Sequence, residues 1–133
     1  MTMRNSHEKC VFCKRLRTDD VVATAEHAVA FPDAFPLSPG HTLVLPKRHE
    51  PNFFSLTAQE HTSLWQLVDE VRSALIETHA PDGWNIGINV GNAGGQTIDH
   101  AHVHVIPRYF GDQPDPRGGV RRIFPERAAY WDA

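Results

Sequence analysis

Three of the nine histidines fall within five residues, in Gly94-Gly95-Gln96-Thr97-Ile98-Asp99-His100-Ala101-His102-Val103-His104-Val105-Ile106-Pro107. In an extended strand alternate side chains share a face. Ala101, Val103 and Val105 then point into a core, while His100, His102 and His104 line the opposite face about 6–7 Å apart. That row is too wide for three imidazoles to bind one small metal ion on a straight strand. It suits a nucleophile flanked by groups that orient it and donate to its substrate. A neutral imidazole attacks phosphorus well, and the N–P bond it makes is labile to water. The glycine-rich loop of residues 91–95 supplies backbone N–H groups able to face a phosphate, and Gln96 and Thr97 add side-chain donors beside them.

A second group is Cys10-Val11-Phe12-Cys13, which holds both cysteines of the chain. It has three readings. A redox pair wants a strand-to-helix setting, whereas Lys14-Arg15-Leu16-Arg17 follows here. Two buried thiols are a second reading. Half of a zinc site is the third, and it needs two more ligands.

These groups must be positioned by a small scaffold. At 133 residues the chain is long enough for one domain with one core, and residues 1–133 are read as a single unit, with 1–6 loose. A hydrophobic fraction of 41%, a charged fraction of 22% and a formal charge of −3 mark an ordinary globular protein without a broad basic face, which disfavours nonspecific nucleic-acid binding. No apolar run reaches the roughly 18–20 residues of a membrane span, and the polar start does not read as a signal peptide. A reducing, cytoplasmic setting follows as the expectation.

Residues 21–23 and 28–31 read as short strands around a Glu26-His27 turn, and residues 41–45 as a strand stopped by Pro46. Between them the prolines of residues 31–40 make a loop. Thr57-Ala58-Gln59-Glu60 has capping-box spacing. Leu64, Leu67, Val68, Val71, Leu75 and Ile76 then recur at helical intervals, predicting a helix of about 20 residues that ends at Pro81-Asp82-Gly83. Trp84, Ile86, Ile88 and Val90 alternate with polar or small residues, as in a half-buried strand. A second alternating run ends at Pro107, and residues 111–133 read as an irregular arm rich in Gly, Pro and Arg. Strands joined directly, with one long helix, indicate an α+β fold on an antiparallel sheet.

The stretch from Gln96 to Pro107 resembles the signature of the histidine-triad nucleotide hydrolases and transferases. The resemblance runs from Cys10-Val11-Phe12-Cys13 through His41-Thr42-Leu43-Val44-Leu45-Pro46-Lys47-Arg48-His49 to Pro107-Arg108-Tyr109-Phe110-Gly111-Asp112. It implies a homodimer, a five-stranded antiparallel sheet with one long and one short helix, and a purine nucleotide as ligand. By the same resemblance, His102 matches the nucleophile that takes up the nucleotidyl group, with its other ring nitrogen donating to the His100 carbonyl. His104 matches a phosphate donor, and Gln96 a bridge between phosphate and leaving oxygen. Thr97, Asn89 and Gly95 match phosphate or ribose neighbours, and Asp33 a group that holds the ribose hydroxyls. Asp33 and Asn89 also have plainer readings as a turn residue and a strand-edge residue.

Residues 107–112 and 115–125 look like the diadenosine-polyphosphate-hydrolase and fragile-histidine-triad branches, which implies cleavage of dinucleoside polyphosphates. The phosphoramidase branch, which usually closes its triad strand with a glycine pair, is the alternative; a slow nucleotide-binding module or a transferase would use the same residues. Arg108, Arg117, Arg121 and Arg122 read either as neutralising a polyphosphate tail or as a solvated arm. The related galactose-1-phosphate uridylyltransferases suggest His49 and His100 as the ligands that complete a structural zinc site with Cys10 and Cys13.

Overall fold

The computed structural model describes residues 8–132; the expectation for residues 1–6 lies outside them. Its elements are α1 (Val11–Arg15), β1 (Ala23–Thr24), β2 (Ala28–Pro32), β3 (Thr42–Pro46), α2 (Ala58–His79), β4 (Gly83–Gly87) and β5 (Val103–Arg108), with short 3-10 turns between and after them. The strands form one antiparallel sheet in the order β1-β2-β3-β5-β4. Helix α2 begins where the capping box places it. The Glu60 amide donates to Thr57 Oγ1 at 3.1 Å, and the Thr57 amide donates to Glu60 Oε1 at 2.9 Å. Glu60 also receives Arg48, which ties the start of α2 to the loop that carries His49.

The two sheet faces have different work. Leu64, Leu67, Val68, Val71 and Leu75 of α2 pack on Ala28, Ala30, Val44, Val103 and Val105. Ile76 departs from the expected stripe and is 41% exposed. On the other face Val29, Phe31, Leu43 and Leu45 meet Phe12 and the two cysteines of the α1 segment. His102 and His104 stand on this second face, because Val103 and Val105 occupy the first.

Two strand expectations are corrected. The run of residues 84–90 ends as a strand at Gly87, whose register partner is His104. Because β5 starts only at Val103, residues 89 and 90 have no strand opposite them. For the same reason His100 and His102 precede the strand, where the Ala101 amide turns aside to the Glu50 carbonyl at 2.8 Å. The three imidazoles therefore do not form a straight row.

Residues 111–132 contain two 3-10 turns and no longer element. Arg108 at the end of β5 and the arm residues Arg117, Arg121 and Arg122 are already engaged. Arg108 makes two hydrogen bonds to Asp112 and one to Asn85, Arg117 pairs with Asp115, Arg121 donates to the Ala128 and Arg127 carbonyls, and Arg122 donates to the Arg117 and Asp115 carbonyls. These contacts support the reading as a self-paired arm over that as a free polyphosphate clamp.

Candidate functional site

A cavity of about 450 Å³ opens on the second sheet face, lined by His102, His104, Asp33, Asn89 and Thr97 at one side and by apolar residues at the other. His102 is 7% exposed, and its ring meets the edge of Phe12 at a centroid distance of 5.0 Å. Its Nδ1 lies 2.8 Å from the His100 carbonyl oxygen. A carbonyl only accepts, so Nδ1 carries the hydrogen and Nε2 keeps its lone pair.

His104 is ordered by a residue that the sequence reading did not single out. The Leu37 amide donates to His41 Nδ1 at 3.0 Å, which puts the hydrogen of a neutral His41 on Nε2. That nitrogen lies 3.0 Å from His104 Nδ1 and 3.4 Å from Asp33 Oδ2. With His104 Nδ1 accepting, its hydrogen sits on Nε2. The result is a pair of imidazoles with complementary roles, His102 holding a lone pair and His104 a donor. Burial pulls His102 and His41 below the ordinary histidine value, and takes His104 down to about 4, helped by the neighbouring His102 and His41. All three are neutral at neutral pH.

The low value of His104 has a thermodynamic consequence. Between its folded value of about 4 and an unfolded value of about 6.5, the unfolded chain binds the extra proton. Stability from the neutral ring is thus complete above about pH 6.5 and is lost as pH falls towards 4, by about 3 kcal/mol in all. Urea midpoints at pH 7.5 and 4.5 test this: His104→Asn should show a shallower acid loss than the parent chain, and an unchanged slope refutes the assignment.

Not every expected residue reaches the cavity. The Gln96 carboxamide is spent on the loops: Oε1 accepts from the Gly91 amide, and Nε2 donates to the Pro51 and Ile98 carbonyls. The glycine loop also satisfies itself. The Gly94, Gly95 and Gln96 amides donate to carbonyls within it, and the Gly91 amide to Gln96, so these N–H groups do not face a phosphate. His100 is fully buried away from the cavity, which makes its carbonyl, rather than its ring, the group in contact with His102. Asp33 holds the Phe35 amide at 2.8 Å through Oδ1 and turns Oδ2 towards His41.

The His100 ring joins Cys10, Cys13 and His49, whose ligand atoms all lie within 4.8 Å of one another. Cys13 Sγ is 3.2 Å from His49 Nδ1 and 3.5 Å from His100 Nδ1, and Cys10 Sγ is 3.6 Å from His100 Nδ1. Sulfur and nitrogen ligands on a tetrahedral zinc stand about 3.5 Å apart, given bonds of about 2.3 and 2.0–2.1 Å. His100 Nε2 donates to the Pro46 carbonyl at 2.8 Å, which turns an unprotonated Nδ1 into the cluster. The set is a Cys2His2 cluster that fits a structural zinc ion, and the zinc reading of the cysteine pair is the one the structure supports.

Asp33, His41 and His104 form a second group of similar spacing. Here the outer contact has the opposite sense. The Leu37 amide occupies the His41 Nδ1 lone pair and forces the hydrogen onto Nε2, the atom a metal would need. The same test that admits zinc at the first group assigns the second to proton ordering.

Fold and site together define an α+β protein with a tautomer-ordered histidine pair in a pocket beside a Cys2His2 cluster that fits a structural zinc ion. The chain belongs to the HIT family: the family model of the HIT domain matches residues 14–111. An uncharacterised HIT-like protein of Mycoplasma genitalium is 37% identical over 109 residues, covering 80% of this chain and 77% of that protein. A bis(5'-adenosyl)-triphosphatase of Dictyostelium discoideum is 38% identical over 93 residues, covering 70% of this chain and 62% of that protein. Among solved structures, a zinc-bound histidine triad family protein from Mycobacterium smegmatis superposes with a TM-score of 0.71 at 32% identity, over 82% of this chain and 86% of that one. Among the described residues no helix is long and apolar enough to cross a membrane.

Proposed function

We propose that the protein hydrolyses dinucleoside polyphosphates at the α-phosphate through a nucleotidyl-histidine intermediate. The observation that carries this is the Nδ1–H of His102 fixed on the His100 carbonyl at 2.8 Å, which leaves Nε2 as a neutral nucleophile at the pocket. Nε2 attacks the α-phosphorus; the bond to the bridging oxygen breaks, and the remaining nucleoside polyphosphate leaves with that oxygen. Water then attacks the same phosphorus, the N–P bond breaks, and a nucleoside monophosphate and a proton are released with His102 regenerated. The Nε2–H of His104 donates to the phosphoryl oxygens as charge gathers there. Asp33 and Asn89, at the pocket wall, are assigned to the ribose, and Thr97 to the phosphate. Gln96 and Gly95 act at one remove, by shaping the loop beside the pocket. The named activity of the Dictyostelium relative supports this substrate class. Comparing kcat/KM over a panel of diadenosine polyphosphates and nucleoside phosphoramidates tests it. Release of the monophosphate from the former at the higher efficiency is the expected result; exclusive turnover of phosphoramidates overturns it.

The site belongs to one half of a homodimer in this reading. Helix α2 packs on β1, β2, β3 and β5. Strand β4 is a sheet edge without that cover, where Ile86 is 36% exposed and Trp84 is only partly buried. An uncovered apolar edge strand is a natural pairing surface for a second copy. Sedimentation at micromolar concentration should give twice the chain mass of 14.9 kDa; a monomer at that concentration counts against it.

A further inference from the structure

The apolar side of the pocket carries one cation, Arg15, and its placement is unusually fixed. Val11 and Arg15 stand one helical turn apart on α1 and both line the cavity, with Phe12, Leu43 and Ile98. The Arg15 guanidinium lies over the Phe31 ring, 4.0 Å from its centroid. Nη2 donates to the Pro32 carbonyl at 2.8 Å and Nε to Asp20 Oδ2 at 3.1 Å, and the side chain is 17% exposed. These contacts use two of the five N–H groups. Nη1 has no hydrogen-bond partner among the described residues.

Register gives its distance from the chemistry. Phe31 is opposite Leu43, and Leu43 is opposite His104, so Phe31 stands two strands from His104 along one line across the sheet. Two strand spacings are roughly 10 Å. In the hydrolase reading, a nucleotide with its α-phosphate at His102 and His104, and its sugar beside Asp33, would extend its base along this line towards Arg15 and the apolar lining residues.

We propose that Arg15 reads the base and makes the pocket selective for guanine over adenine. This rests on the nucleotide-hydrolase reading above. Guanine presents two adjacent acceptors, O6 and N7, to the remaining guanidinium hydrogens. Adenine presents N7 beside an exocyclic amine, and that amine sets donor against donor. Since Phe31, Pro32 and Asp20 already hold the guanidinium, little side-chain freedom is lost when the base arrives. The neighbouring Val11, Phe12, Leu43 and Ile98 accept the faces of either purine and do not discriminate.

The test uses the full-length, zinc-loaded protein. Values of kcat/KM are measured for diguanosine and diadenosine tetraphosphate, and dissociation constants for GMP and AMP, with the parent chain, Arg15→Met and Arg15→Lys. The guanine substrate should be preferred at least about fivefold by the parent, the ratio should fall to about one in Arg15→Met, and Arg15→Lys should retain part of it. Each ratio comes from one preparation, so a smaller folded fraction in a variant cancels. Turnover with a parent ratio near one, or a preference that survives Arg15→Met, overturns the role of Arg15 and leaves the hydrolase reading standing. Absence of both turnover and monophosphate binding overturns the hydrolase reading and this inference with it.

Discussion

His102→Ala should lower kcat by at least ~10³-fold, as removal of a covalent nucleophile does. The expectation follows from the sense of one hydrogen bond. The His100 carbonyl can only accept, so the hydrogen of His102 is on Nδ1 and the attacking nitrogen is Nε2. Because burial also holds the ring below the ordinary histidine value, the nucleophile needs no general base to free its lone pair. His41→Phe makes the comparison sharper. It keeps a ring against His104 but removes the donor that places the His104 hydrogen, so the loss should be smaller, about 10–10²-fold. Circular dichroism and AMP binding check that both variants are folded. Enzyme incubated with labelled substrate and quenched in alkaline denaturant, where the N–P bond survives, should carry a nucleotidyl adduct in the parent and none in His102→Ala. Near-parental turnover by His102→Ala sinks the covalent mechanism; full activity of His41→Phe removes only the ordering role of His41.

What the sequence shows of this arrangement is local. Helix α2 is legible because its signals are contiguous: the Thr57–Glu60 capping box and a stripe of leucines and valines at helical spacing. The two-residue period of residues 103–107 is legible for the same reason. The pairing of β3 with β5 is not, since some 60 residues separate the register partners Leu43 and His104. That pairing brings His41 against His104, which is why His41 stood out only as part of a motif. A face-parity argument could have found it, because His41, Leu43 and Leu45 alternate with Thr42 and Val44, but only once the neighbouring strand is known. His100 shows the converse error. Period-two reasoning extends the strand three residues too far, to His100 instead of Val103, whereas a tertiary contact, the Ala101 amide to the Glu50 carbonyl, ends it and sends the imidazole to the cysteines. Gln96 and the glycine loop suit a phosphate by residue type, and the family resemblance gives Gln96 the same role. Their donors are consumed locally, the loop amides within the loop and on Gln96 Oε1, and Gln96 Nε2 on the Pro51 and Ile98 carbonyls, which no spacing rule reveals.

Loss of the Cys2His2 cluster should lower the melting temperature by about 10 °C or more, while the chain that remains folded keeps most of its activity. The two effects separate because none of the four ligand side chains lines the pocket, not even that of His100. Its ring faces Cys10, Cys13 and the Pro46 carbonyl, and its backbone oxygen holds His102. With the metal bound, thiolates replace thiols and the ion joins the α1 segment, the loop of His49 and the approach to β5. Without it, burial and the neighbouring Cys10 push the Cys13 thiol up to about 11, so that sulfur stays protonated and the cross-link is absent. What still holds these segments is a set of individually small contacts: Phe12 against Phe31 and His102, Arg15 on Phe31 and the Pro32 carbonyl, and the His100–Pro46 and Ala101–Glu50 hydrogen bonds. A drop of that size corresponds to about 3 kcal/mol for a domain of this length. Cys10→Ser and a chelator should therefore act alike, and a chelator should have little further effect on Cys10→Ser. Elemental analysis of protein purified without added metal should give about one zinc per chain. A parent chain that contains no zinc, and whose melting is unchanged when zinc is supplied, would leave Cys10 and Cys13 as buried thiols and His100 as a backbone prop for His102.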